Sequence, residues 1–171
     1  EEYAKTREQL LFDGVVAKIK ERVDDILASA KYVAALDCVL SLWVTSSSRG
    51  YVRPEIGTDV TELKIIEGRH PVVENLIGFD SFVPNDTYLN VATDRIMLIT
   101  GPNMAGKSVY MRQVALIVIM AHIGCYVPAK AAKICPVDKI FTRVGASDDL
   151  STGRSTFMVE MSEVSSILDS A

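Results

Sequence analysis

The chain has 171 residues, 49% hydrophobic and 23% charged, which is the profile of a soluble globular protein with one domain and an appendage. Its formal net charge of −4 argues against a surface built mainly to grip a phosphate backbone, so contact with nucleic acid is expected through other parts of a longer protein. Cys38, Cys125 and Cys135 form no C-x-x-C pair, and with only His70 and His122 beside them no zinc-ligand spacing arises, which suggests reduced thiols in a cytosol.

Residues 1–47 contain no proline and a single glycine, Gly14. Leu11, Val15, Ile19, Val23, Ile26, Ala30 and Val33 recur at steps of three or four, the spacing of one face of a long helix. A break is expected near Ser29, with a second helix through Ala34, Leu40 and Val44. Both a packing helix and a mechanical connector to another domain fit this pattern. The polar run Thr45–Gly50 reads as a linker, which divides the chain into a helical connector, 1–50, and a second domain, 51–171. Because position 1 already lies inside the helical pattern, the chain is expected to be an excerpt.

After the linker come short extended segments, Tyr51–Ile56, Glu62–Glu67, Pro71–Glu74 and Thr87–Ala92, separated by Gly57, Gly78, Pro84, Asn85 and Asp86. They predict an antiparallel layer. Ile96–Ile99 is a continuous apolar run, as in a strand covered on both faces. Lys107–Ile123 is a predicted helix, apolar on nearly every side and closed by Gly124 and Pro128. A buried strand feeding a buried helix predicts an α/β domain. A further strand is expected over Lys139–Val144 and a further helix over Phe157–Leu168. The longest uninterrupted apolar run, Val114–Ala121, is too short to span a bilayer, so no membrane partner is expected.

Between the predicted strand and helix stands Gly101-Pro102-Asn103-Met104-Ala105-Gly106-Lys107-Ser108, a full G-x-x-x-x-G-K-[ST] motif. The glycines let the backbone turn sharply and gather N–H groups around one anion. The helix that follows aims its first amides at the same point. Lys107 would add a full charge at the β- and γ-phosphates of ATP, and the Ser108 hydroxyl would join the shell of a bridging Mg²⁺. A chance match in a chain of this length has a probability on the order of one per cent, so the motif points to nucleotide binding.

The residues around the motif carry a family resemblance. The loop itself, the continuation Tyr110-Met111-Arg112-Gln113, and Glu67-Gly68-Arg69-His70-Pro71-Val72-Val73 resemble the MutS family of bacterial DNA mismatch-repair proteins. Gly124–Ala129, Phe141–Ala146 and the stretch Gly153-Arg154-Ser155-Thr156-Phe157-Met158-Val159-Glu160-Met161 are similar to it as well. Val109 departs from the family's usual threonine after the loop serine, at a position not expected to touch phosphate.

The resemblance implies a P-loop NTPase of the ABC-ATPase type, of which residues 51–171 would be the N-terminal part, preceded by a lever helix. It implies a cytoplasmic, nucleoid-associated homodimer with composite ATP/ADP sites. Such a protein would engage mismatched double-stranded DNA through other domains and signal to downstream repair proteins of the MutL type. A MutS-like scaffold acting in recombination is the alternative, and a small-molecule kinase using the same loop would need a closing lid with arginines. Carried over residue by residue, Phe82 and Val83 would pack on adenine with Asn85 beside it, although both apolar residues also fit a strand-end core. Ser155 matches the serine that reaches the γ-phosphate on the opposite subunit, while its position before a helix equally suits an N-cap.

His122, inside the apolar helix, is expected to be a core histidine, and His70 a structural residue at a turn. Asp148 and Asp149 fit a solvated turn. No apolar strand ending in Asp-Glu occurs between Ser108 and Ala171, and Glu160 and Glu163 lie on a predicted helix. The resemblance puts that strand just after the last helix, so this segment is expected to bind ATP without hydrolysing it.

Overall fold

Two helices open the chain, α1 over Glu2–Lys20 and α2 over Val23–Ser48. The break falls at Glu21–Arg22, where the Arg22 N–H turns back to the Ile19 carbonyl at 3.0 Å, and not at Ser29. Ser29 stays helical, and its hydroxyl is accommodated by donating to the Asp25 carbonyl one turn earlier, at 2.8 Å. The serines expected to form a linker extend α2 instead, and the chain turns only at Arg49–Gly50. By length and composition alone α2 would be able to cross a membrane, although Lys31 and Asp37 interrupt its apolar stretch. Its apolar character is spread over many short runs, none as long as Val114–Ala121.

The computed structural model describes residues 2–57, 59–78, 81–143 and 156–170. The chain divides into two compact units, Glu1–Thr45 and Ser46–Ala171. Within the second unit lie β1 (Glu55–Ile56), β2 (Glu62–Gly68), α3 (Val73–Ile77), β3 (Asn85–Asn90), α4 (Lys107–His122), β4 (Ala131–Ile134) and α5 (Thr156–Ser170). The strands form one sheet in the order β1-β4-β2-β3. β2 pairs antiparallel with both β3 and β4, and β1 joins β4 in parallel.

This is a small mixed sheet with helices, and it corrects the expected α/β P-loop NTPase of the ABC-ATPase type. Among the described residues no strand leads into the 101–108 loop. Ile96–Ile99 makes no ladder, and Ile96 and Leu98 are 89% and 88% exposed. A continuous apolar run becomes a central strand only when partners cover both its edges and its faces, and neither cover is present. Pro71–Glu74 also departs from expectation, because it leads into α3. There the Val72 and Val73 amides donate to Nδ1 of His70, at 3.2 and 3.3 Å. Of the expected strand over Lys139–Val144, residues 139–143 form no strand, and β4 supplies the sheet partner that sequence periodicity did not reveal.

One face of α4 closes the core. Ile117, Val118 and Ala121 cluster with Ile65 of β2, Ala132 and Ile134 of β4, and Val127 and Ala129. The helix is thus buried along a stripe and not all round, since Ile119 and Ile123 remain exposed. His122 is exposed at the end of α4 and not in the core as expected, although its ring is hydrogen-bonded. Its Nδ1 bonds the Val118 carbonyl at 2.8 Å, and its Nε2 accepts the Val137 amide at 3.0 Å.

A buried polar knot fixes the start of α3. Arg69 donates to Glu74 at 2.8 Å, and the Tyr51 hydroxyl donates to the other Glu74 oxygen at 2.8 Å. Burial, and then the bond to Glu74, push the Tyr51 hydroxyl up to about 12. Burial also holds His70 below its usual 6.5. An imidazole kept neutral in the fold takes up its proton first in the unfolded chain. Its contribution to stability is therefore complete above about pH 6.5 and is lost as pH falls below that value. His70→Asn, which keeps an acceptor near the α3 amides but does not titrate there, should show a smaller drop in urea midpoint between about pH 7.5 and about pH 5.5. Equal drops in the two proteins would exclude His70 as the source.

Candidate functional site: the 101–108 loop and its cleft

The motif's residues form the turn that starts α4. Gly106 sits at the helix N-cap with φ 84 and ψ 7, a left-handed conformation that glycine adopts without steric cost. Met104 is also left-handed, at φ 63, which strains a residue bearing a Cβ and leaves its side chain fully exposed. No side chain caps the N-terminus of α4. The first-turn amides, which have no intrahelical partners, are presented to the loop. The half-buried Lys107 curls back over the turn, and its Nζ donates to the Gly101 and Pro102 carbonyls at 2.6 Å each. A cation and a helix N-terminus thus converge on one small volume, the arrangement that suits an anion.

Beside the loop opens a cleft of about 780 Å³. Ala105, Gly106 and Lys107 line it together with Phe82, Val83 and Asn85. The two groups of residues singled out from the sequence, one in the loop and one around Phe82, therefore share one cavity. Phe82 is half-buried and Val83 exposed, so neither is committed to the core. The Asn85 amide nitrogen donates to the Val83 carbonyl at 2.9 Å, which ties the two together. Gly101, Pro102, Asn103 and Met104 of the turn, and Ser108 in the first turn of α4, do not line the cleft. Ser155, Asp148 and Asp149 lie outside the described residues, and Glu163 pairs with Arg143 at 2.9 Å.

Two cleft residues, Tyr110 and Gln113, stand in the sequence only as part of the family stretch after the loop, with no site role. The Tyr110 hydroxyl bonds Thr87 Oγ1 at 2.9 Å and donates to the Asp86 carbonyl at 3.2 Å, joining α4 to β3. Gln113 lines the cleft and is fully buried. The signal for Gln113 was present in the spacing. It stands one helical turn before Ile117, on the stripe that continues to Ala121, so a polar residue occupies an inward position. Among the described residues, no group of three His, Cys, Asp or Glu side chains could hold a metal ion.

The comparisons with known proteins agree with one another. Residues 97–171 match the family model described as MutS domain V. The DNA mismatch repair protein MutS of Acetivibrio thermocellus is 55% identical over 164 residues, 96% of this chain and 19% of that protein. Its counterpart in Clostridioides difficile is 53% identical over 171 residues, all of this chain and 18% of that protein. The chain therefore belongs to the MutS family, and it spans about a fifth of the length of these curated relatives. Together with the small mixed fold, the match assigns residues 97–171 to MutS domain V, in place of the N-terminal part of an ABC-type ATPase domain.

The loop geometry generates a local prediction. A Cβ on Gly106 would meet nothing within 4 Å, so Gly106→Ala carries only the cost of its left-handed backbone. Thermal unfolding should report a loss of about 1 kcal/mol. No loss would mean that the turn relaxes to a different conformation.

Proposed function

We propose that this chain is the nucleotide-binding segment of a DNA mismatch-repair protein, and that ATP or ADP occupies the cleft beside the 101–108 loop. The observation that carries this reading is the single cavity lined both by Ala105, Gly106 and Lys107 and by Phe82, Val83 and Asn85. Its size lies within the range of small-molecule and cofactor sites.

The loop's own chemistry fits a polyphosphate. The amides at the start of α4 offer hydrogen bonds, and Lys107 offers a charge that, among the described residues, meets two neutral carbonyls. An anion is the stronger acceptor, so Lys107 exchanges those carbonyls for phosphate oxygens. Bound Mg²⁺ would neutralise part of the phosphate charge, with Ser108 as the side chain from this loop that reaches it. Phe82 and Val83 pack on the adenine and Asn85 sits beside it. Ser155 acts on the γ-phosphate of the opposite subunit in a homodimer.

In the whole protein, ATP binding and hydrolysis set the state of a clamp on mismatched double-stranded DNA, which is held by other domains. Downstream proteins of the MutL type read that state. The protein works in the cytoplasm, at the nucleoid. The similarity to DNA mismatch repair proteins supports the process, and the net charge of −4 supports a segment that drives DNA binding without providing its main surface.

Lys107→Ala should lower ATP affinity by about 10- to 100-fold, the loss of a charge-assisted contact to phosphate. Its circular dichroism should match the wild type, because the side chain lies at the loop's surface. Titration of a fluorescent ATP analogue into both proteins tests this, and equal affinities would contradict the phosphate assignment.

A further inference from the structure

Three parts of the chain meet at one hydroxyl. Tyr110, in the first turn of α4, bonds Thr87 Oγ1 at 2.9 Å, and its hydroxyl lies 3.2 Å from the Asp86 carbonyl oxygen and 3.3 Å from Met97 Sδ. A phenol has one proton to give and lone pairs with which to receive. With that proton directed at Asp86, Thr87 is the donor of the shorter bond. The hydroxyl then has no proton left for a ligand.

Thr87 is buried in β3, opposite Ile65 of β2. Valine has nearly the same shape and suits a buried strand position without a hydroxyl to satisfy. Phenylalanine would likewise fill the place of Tyr110. The two hydroxyls therefore serve the link between α4 and β3, which packing alone does not require. The apolar stripe that fixes α4 on the sheet, Ile117, Val118 and Ala121, begins about two turns beyond Tyr110. The loop-bearing end of the helix, which starts at Lys107, is tied to β3 by the Tyr110 hydroxyl. On the other side of that bond stands Asn85, two residues before Thr87 on the same strand, and it lines the cleft together with Lys107.

We propose that Tyr110 is a positioning residue whose hydroxyl, clasped to Thr87 and Asp86, sets the spacing between the Lys107 and Asn85 sides of the cleft. This rests on the reading of the cleft as a nucleotide site. A ligand that bridges both sides meets a preformed site only while the clasp is closed. A ligand confined to the loop needs Lys107 and the first amides of α4, and the clasp touches neither.

Calorimetric titration of the protein with ATP and with inorganic tripolyphosphate tests this. Tyr110→Phe, which keeps the ring, should weaken ATP about fivefold and leave tripolyphosphate unchanged. Thr87→Val should weaken ATP in the same direction, and Thr87→Ser, which keeps the hydroxyl, should bind as the wild type does. The double variant Tyr110→Phe with Thr87→Val should lose no more than Tyr110→Phe alone, because the shared bond is removed once. Thermal unfolding of each variant shows whether it is folded, and the Thr87 pair carries the test should Tyr110→Phe fail to fold. An equal loss for both probes, independent losses that add in the double variant, or lowered stability with ATP binding unchanged would each overturn the proposal while the loop assignment stands. A wild type that binds neither probe overturns the nucleotide reading as well.

Discussion

The packing of one face of α4 against β2 and β4 is the contact on which the rest of the second unit depends. Ile65, Ile134, Ile117, Val118 and Ala121 lie at its centre, and the three isoleucines and Val118 are each at most 5% exposed. Burying side chains of this size contributes roughly 1.5–3 kcal/mol apiece. The contact matters for the site because α4 begins at Lys107, immediately after the loop. Fixing the helix on the sheet fixes where its N-terminal amides point. β2 makes this possible, being paired along both edges, so the surface that receives α4 is held from two sides.

The same strand organises the polar half of the unit. β2 ends in a bulge where Glu67 is left-handed, at φ 49, and the Glu67 amide donates to Asp86 at 2.7 Å. The register shift between Ile65 and Gly68 turns the chain into Arg69 and His70. Arg69, Glu74 and Tyr51 then close a buried network, and such a pair is tolerable only when its remaining oxygens are satisfied, as the Tyr51 hydroxyl does for Glu74. Together these bonds place α3, whose Val73 and Ile77 form part of the cleft wall. Apolar packing therefore sets the loop end of the cleft, and a hydrogen-bonded bulge and knot set the other.

How much of this was legible in the sequence depended on whether the deciding interaction was local. The α4 helix was read to within a residue of its observed ends, because its start is marked by the Gly106 turn and its end by Gly124. The cleft residues Phe82, Val83 and Asn85 were reached through resemblance and not through periodicity, and they fall beside Lys107. Non-local choices were missed. Ile96–Ile99 has the composition of a central strand but no ladder, and Ala131–Ile134 is short and weakly patterned yet pairs on both sides. The α3 turn was taken for a strand because its cue is a His70 side chain accepting backbone amides, which no periodicity displays. Gln113 is legible in the sequence only as part of the family stretch after the loop, because one glutamine in an apolar helix looks ordinary until its burial is known.

The account's central claim is that the 101–108 loop holds the phosphates of a nucleotide whose base lies toward Phe82, Val83 and Asn85. A crystal structure of the protein with a non-hydrolysable ATP analogue and Mg²⁺ would test it most directly. The account predicts phosphate oxygens within hydrogen-bond distance of the first amides of α4. It also predicts that Lys107 Nζ will have moved from the Gly101 and Pro102 carbonyls onto those oxygens, with the adenine against Phe82. A nucleotide bound elsewhere, or Lys107 still held by the two carbonyls beside an occupied cleft, would contradict it.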